Sequence, residues 1–499
     1  MPSSVPGPRR ARAAAPAALL LAACSLAPRY ERPAAPVAPA FPAAPAAAPA
    51  AAAAAADLGW RDVFADERLK ALVALALRNN RDLRTAALNV ELTRAQYRIQ
   101  RSAQLPAVTA SGSVTRERLA ADQSSSGAPL TATVYTVGGF LTAFELDLFG
   151  RVRNLSAAAL EQYLATEEAR RSAHLSLVAA VATQYLAESA LDDQVALGRR
   201  TLEAVEASLR LTRRTYEAGR TSELDLRTAE SQVLTARFNL SSAQQQRDRA
   251  LNALVLLVAQ PLPADLPPPT PLDAQAFLTE LPAGLPSEVL LRRPDIASAE
   301  HALVSANALV GAARAAFFPS ITLTAAAGSS SLELSTLFGS ASGFWSFAPR
   351  IDVPIFRGGA LSASLDATEV RKSIQVAQYE RAIQGAFREV ADALVSRAAL
   401  DEQLEAQRAR VEAEQRRYDL SELRYRKGVD SYLVLLTAQR DLYAAQQILI
   451  QSRLARLANL VDLYRALGGG WRERTAPAAA RRDPRPPSAA DEGAGDPDR

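Results

Sequence analysis

One cysteine, Cys24, and two histidines, His174 and His301, are all that the 499 residues offer to thiol or imidazole chemistry. A single thiol closes no intrachain disulfide and builds no thiolate metal cluster. The histidines stand alone in stretches of helical periodicity, where a packed or surface imidazole is the ordinary role. The chain carries no Gly-rich phosphate loop, no nucleophile elbow and no His-Glu-x-x-His pair. Nothing in it points to an enzyme, a metal or a cofactor. What remains open to Cys24 is acylation, and its position argues for that.

Arg9, Arg10 and Arg12 precede the short apolar stretch AAAPAALLLAA, which is too short to span a bilayer and fits a secretory signal over residues 1–23. The stretch ends in Leu21-Ala22-Ala23-Cys24. Small residues before a cysteine resemble the bacterial lipobox, in which the cysteine becomes the lipidated first residue of the mature chain. Acyl chains on Cys24 would anchor it at about 0.8 kcal/mol per buried methylene. Ser25, rather than Asp, follows, and by the same resemblance that favours the outer membrane. Residues 24–56 are Ala/Pro-rich and read as a lipidated tether. Residues 471–499 are polar and Pro-rich and read as a disordered tail.

The elements between are written twice. YEAGRTSELDLRTAESQ (216–232) and YRKGVDSYLVLLTAQRD (425–441) share Tyr, Gly, Ser, Leu, Leu, Thr and Ala at matching places. Asp82 matches Asp295, Pro106 matches Pro319 and Asp147 matches Asp352, in the same order and at similar offsets. The chain is therefore a first repeat over 57–265, a Pro-rich linker over 266–286 and a second repeat over 287–470. Composition agrees with long helices: 48% hydrophobic residues but only 6% aromatic ones. The 57 basic and 53 acidic residues are interspersed, as on solvated helix faces, which argues against nucleic acid as a partner.

Each repeat reads helix, strand, strand, long helix, helix. The periodicity predicts first helices over 66–103 and 287–317, and long helices over 153–217 and 361–426. Some 65 residues at about 1.5 Å each reach nearly 100 Å, so these helices must pack laterally. Gly219 and Gly428 fall where the long helices stop, at the left-handed position that only Gly takes without strain. Ser222 and Ser431 are placed to N-cap the descending helices, and Ser222 with Asp225 resembles a capping box. Leu224 and Leu433 open those helices.

Four short stretches alternate. Val108, Ala110, Gly112 and Val114 oppose Thr109, Ser111, Ser113 and Thr115. Ile321, Leu323, Ala325 and Ala327 oppose Ser320, Thr322 and Thr324. Trp345, Phe347, Ile351 and Val353 oppose Ser346, Arg350 and Asp352, and Phe140, Phe144 and Leu146 are expected to share a face. Each has the length and pattern of a transmembrane β-strand. Four strands cannot close a barrel, so the barrel must be shared between chains. Two chains give eight strands and little lumen, three give twelve.

The stretches FELDLFGRVRN (144–154), LLRRPDIASAEHAL (290–303), FFPSITLTAAAG (317–328), PIFRGG (354–359), YRKGVDSYLVLLTAQRDLYAAQ (425–446) and LVDLYRALGGGW (460–471) resemble the TolC-type outer membrane factors. With the lipobox they resemble the lipidated OprM- or NodT-like branch. The resemblance implies a mainly α fold with a membrane β portion: a homotrimer whose twelve-stranded barrel continues into a twelve-helix tube. It implies a passive exit duct in the outer membrane, a periplasmic membrane-fusion adaptor and an inner-membrane pump of the resistance-nodulation-division class. The duplicated tips then form the periplasmic mouth. In that branch a leucine, an acid four residues on and an arginine three further on close the mouth. Here those places hold Leu433, Thr437 and Arg440, so the acid is missing. Asp430, earlier on that tip, and Asp225, in the other copy, are the candidates to supply negative charge near the mouth. A channel for protein secretion and a periplasmic coiled-coil scaffold are the alternatives, although a scaffold leaves the strands unexplained.

Overall fold

The computed structural model describes residues 25–41, 57–125, 127–275 and 287–475. In chain order the helices are α1 Trp60–Val63, α2 Glu67–Asn79, α3 Arg81–Ser102, α4 Arg151–Glu217, α5 Glu223–Val258, α6 Pro294–Ala315, α7 Ala360–Arg426 and α8 Tyr432–Ala466. The strands are β1 Val108–Leu119, β2 Leu130–Leu146, β3 Ser320–Ser331 and β4 Gly343–Asp352. Cys24, the signal segment and the end of the tail lie outside the described residues. The chain forms two compact units. Of the described residues, one holds 25–36, Ala86–Ala169 and Asp295–Ala382, and the other holds 37–41, 57–85, Arg170–Pro294 and 383–475.

The first unit contains the sheet. Its order is β1-β2-β3-β4, all antiparallel, so β1 and β4 are open edges. One face carries Val108, Ala110 and Val114 beside Tyr135, Val137 and Leu141, then Ala325 and Ala327, then Trp345 and Phe347. The other carries Thr109, Ser111 and Ser113, then Thr136, then Ser330 and Ser346. The expectation that Phe140 shares a face with Phe144 and Leu146 is overturned. Phe140 pairs with Thr109 and Ala326 on the polar face, whereas Phe144 and Leu146 pair with Leu323 and Ile321 on the apolar one. The cause is a bulge between Leu141 and Phe144. There Ala143 takes φ 49° and one extra residue reverses the alternation. At the centre, Gly138 and Gly328 let two backbones approach. A Cβ on Gly328 would lie 2.2 Å from the Val137 carbonyl oxygen.

Residues 25–36, read from sequence as tether, are instead a strap on α6. Tyr30 and Arg32 both donate to Glu300, the latter through two hydrogen bonds of 2.7 and 3.0 Å. Asn307 donates to the Pro28 carbonyl at 2.8 Å, and Gly311 gives the room that Ala27 occupies. The other side of α6 meets α4 through Ser298, His301 and Ser305, which bond Ala165, Glu161 and Ala158. His301 is thus a packed imidazole on a carboxylate. The matching helix of the first repeat, α3, buries no residue, and Leu88, Leu92 and Ile99 stand exposed along it.

In the second unit the single helix expected over 66–103 is broken at Asn80. Its amide ends α2, its side-chain oxygen accepts from Leu83 to start α3, and its side-chain nitrogen donates to Leu257. Asp66 caps α2 and also accepts from Tyr185 and Gln275, at 2.7 and 2.6 Å. Gln275 and the buried Leu272 show that the linker is packed as far as 275. Arg293 of the LRRPDI stretch is buried. It donates to the Ala466 carbonyl at 2.7 Å and to Glu389 at 3.0 Å, so it caps the C-terminus of α8. Phe41 is buried and stacks on Phe387 at 4.6 Å, so this end of the expected tether is packed too. The tail begins later than 471, because Trp60 and Arg61 donate to the carbonyls of Arg472 and Glu473.

Candidate functional site

The two hairpin tips lie in the second unit. At the end of α4 the amides of Gly219 and Arg220 donate to Tyr216 and Thr215, each at 2.8 Å. At the end of α7 those of Gly428 and Val429 donate to Tyr425 and Arg424, each at 2.9 Å. Both pairs form a Schellman closure, with Gly219 at φ 72° and Gly428 at φ 73°, as the glycine positions predicted.

The caps differ. The Ser222 hydroxyl accepts from the Asp225 amide at 3.2 Å and donates to the Asp225 carboxylate at 2.8 Å. This is half of a capping box, with the acid on the serine hydroxyl instead of its backbone amide. Ser431 stands at the N-cap of α8 with extended backbone, but its side chain makes no cap hydrogen bond. The sequence expectation of a serine cap fails there. Arg424 and Asp430 close that turn instead, through two hydrogen bonds of 2.7 and 2.8 Å. The Arg424 guanidinium holds the Asp430 carboxyl below the usual aspartate range. Asp430 is therefore paired, not a free charge.

The two tips meet on an apolar core of Ala229, Tyr432, Leu435 and Leu436, with Leu209, Tyr418 and Tyr425 packed against it. Burial pushes the Tyr432 hydroxyl pKa up. Tyr425 links the repeats directly: its hydroxyl lies 3.2 Å from that of Thr212, which is fully buried, and its ring lies 5.7 Å from Tyr432. Between the tips is a cavity of about 410 Å³ lined by Arg220, Asp225, Lys427 and Asp430.

Leu433, Thr437 and Arg440 fall on one exposed stripe of α8. The Thr437 hydroxyl donates to the Leu433 carbonyl at 2.8 Å, and Thr228 does the same to Leu224 at 2.7 Å. This shared back-bond, with the buried Ala229 and Ala438 beside it, gives a reason why the repeats match beyond the turn. Arg440 lines a second cavity of about 280 Å³ with Gln232, Asn239 and Tyr443. The sequence marks Tyr425 only as the tyrosine repeated at Tyr216, and it marks neither Arg424 nor Thr212. The only signal was an arginine six residues before an aspartate across a glycine turn. Among the described residues no group of three His, Cys, Asp or Glu is placed to hold a metal ion.

The profile of the outer membrane efflux protein family matches residues 72–260 and 285–469, one segment per repeat. The chain belongs to the outer membrane efflux protein family. It is 49% identical over 460 residues to the toluene efflux pump outer membrane protein TtgC of Pseudomonas putida, covering 92% of this chain and 95% of that protein. It is 45% identical over 456 residues to the outer membrane protein OprJ of Pseudomonas aeruginosa, covering 91% and 95%. Among solved structures, the open state of the MtrE outer membrane channel of Neisseria gonorrhoeae superposes with a TM-score of 0.84. It is 42% identical and is covered in full by 91% of this chain. A membrane protein from Pseudomonas aeruginosa superposes with a TM-score of 0.85 at 43% identity, covering 90% of this chain and 98% of that one. The chain is thus an outer membrane efflux protein, the exit duct of a tripartite efflux system, with its helical part in the periplasm. No described helix is long and apolar enough to cross a membrane; the two-faced sheet is the part built for it.

Proposed function

We propose that three copies form a passive duct, each giving four strands to a twelve-stranded barrel and two helical hairpins to the tube below it. The observation that carries this reading is the sheet, with two open edges, one apolar face and one polar face. The bare helix α3 supports it, since its counterpart α6 is covered on two sides within the chain. In this reading the duct performs no catalysis and holds no cofactor. The tips engage a periplasmic membrane-fusion adaptor that joins the duct to an inner-membrane pump of the resistance-nodulation-division class. Cys24 carries the lipid that fixes the strap to the outer membrane. Relatives are named for the efflux of toluene, solvents and antibiotics, and small molecules delivered by the pump are the proposed cargo.

The test is native mass and conductance of the detergent-purified protein. A three-copy particle that conducts ions in a planar bilayer is expected, and a non-conducting monomer overturns the duct. Cys24→Ser is expected to leave the trimer intact and weaken its retention in the outer membrane. Unchanged retention removes the lipid from the reading.

A further inference from the structure

Three copies can close a barrel only if β4 of each pairs with β1 of the next, and the duplication supplies a template for that seam. Inside the chain, the second strand of the first repeat already pairs with the first strand of the second repeat. There Leu146, the residue before Asp147, faces Ile321, two residues after Pro319. Asp352 and Pro106 are the counterparts of Asp147 and Pro319 in the repeated pattern. The residue before Asp352 is Ile351, and two residues after Pro106 comes Val108. We propose that β4 of one copy pairs antiparallel with β1 of the next in the register that sets Ile351 opposite Val108. This rests on the three-copy assembly proposed above.

Three features of the sheet agree with that register. The first is the alternation of faces. Ile351, Pro349, Phe347 and Trp345 share the apolar face of β4, because they face Ile321, Leu323, Ala325 and Ala327. In the proposed seam their partners are Val108, Ala110, Gly112 and Val114, the apolar face of β1. A slip by one residue turns every apolar side chain to the polar side. The internal seam itself has two registers, one on each side of its bulge. The register of Leu141 with Ala325, carried over in the same way, would set Ser346 opposite Gly112 and mix the faces. Only the register next to Asp147 transfers, and β4 pairs with β3 without a shift of register.

The second feature is the pairs that result. Ser346 faces Ser113 and Arg350 faces Thr109 on the polar side. Phe347 faces Gly112, where the missing side chain leaves room for a ring. Trp345 and Val114, 80% and 63% exposed in the single chain, cover one another. A slip by two residues keeps the faces but in one direction sets Trp345 against Arg116, and in the other sets residues 350–352 against 107–105, before β1 begins. The third feature is length. Nine of the ten residues of β4 meet β1, at 108–116, and only Asp352 passes its end, to face residue 107.

Cysteine pairs test the register. Opposite residues of an antiparallel pair have Cβ atoms about 4.5–5.5 Å apart and diagonal ones about 7–8 Å, whereas a disulfide spans about 3.5–4.5 Å. Arg350→Cys with Thr109→Cys, oxidised in native outer membranes, is expected to convert most of the chain to covalent dimer and trimer. Arg350→Cys with Ser111→Cys is expected to stay monomeric on a denaturing gel, as is each single variant, which controls for Cys24. Arg350 also pairs with Asp352 at 2.8 Å. Ser346→Cys with Ser113→Cys therefore repeats the measurement without that loss, against Ser346→Cys with Thr115→Cys. Cross-linking of the slipped pairs alone overturns the register and leaves the trimer standing. A three-copy mass with no cross-link in any pair overturns the proposed register. A monomer with no cross-link overturns the register and the assembly together.

Discussion

At Gly219 and at Gly428 the chain makes the same turn, with the same two closing hydrogen bonds. The side chains that lock the two turns nevertheless differ. The first tip is held by a serine cap, Ser222 on Asp225, and Thr215 and Thr221 stand where the second has its ion pair. The second is held by Arg424 on Asp430 and by Tyr432 against Tyr425, and its serine is idle. Duplication preserved the backbone, which the glycine dictates, and released the lock to diverge. In the assembled duct the two tips would alternate around the mouth, so one mouth would have two kinds of latch.

The largest expected effect is common to both tips. Gly219→Val and Gly428→Val each force a β-branched residue to a left-handed φ, at a cost of about 1–3 kcal/mol. Hydrogen exchange at the two turns is expected to rise to a similar extent, and adaptor coupling to fall. A large rise at only one tip would show that the backbones are not equivalent. Ser222→Ala removes a working cap and is expected to cost about 1 kcal/mol. Ser431→Ala removes none and is expected to stay within about 0.5 kcal/mol. Equal losses in thermal unfolding would break the contrast.

The ion pair separates the tips further, by salt and acid. About 1 M salt shortens the screening length to about 3 Å. It is expected to loosen the second turn and leave the first unchanged, read from spin labels at Lys427→Cys and Arg220→Cys. Asp430 is held below its ordinary pKa by Arg424. Its contribution is therefore complete above the unperturbed value of about 3.9 and is lost as the pH falls through the lowered one. Acidification is expected to mobilise the label at 427 only in that window. A loss near neutrality would assign the latch to another group. The smallest effect is expected of Thr437→Ala, which frees a carbonyl already bonded within the helix and costs under about 0.5 kcal/mol.

The long helices were legible because their period and their terminal glycines are local signals: 153–217 was expected and Arg151–Glu217 is observed. The strands were legible for the same reason. The bulge was not, because an extra residue at Thr142 and Ala143 changes no composition and reverses the face of Phe140 all the same. Nor was the strap. Ala and Pro make up half of residues 25–36, and Tyr30 and Arg32 find their partner only once a distant helix is in place. Arg293 reads in sequence as part of a motif, and the reason for it, the open carbonyl end of α8, lies 173 residues away. Arg424 and Asp430 become neighbours only after the glycine turn has brought them together.

The strap also orders events in time. A chain is made and exported from its N-terminus, yet Tyr30 waits for a residue 270 positions later and Pro28 for one 279 positions later. Closing so long a loop costs more entropy than closing a hairpin, and local contacts form sooner. The first residues of the fold are thus among the last to settle. Until the second repeat has presented Glu300 and Asn307, Tyr30, Arg32 and the Pro28 carbonyl have nothing to hold, so an unfinished duct leaves its clasp undone.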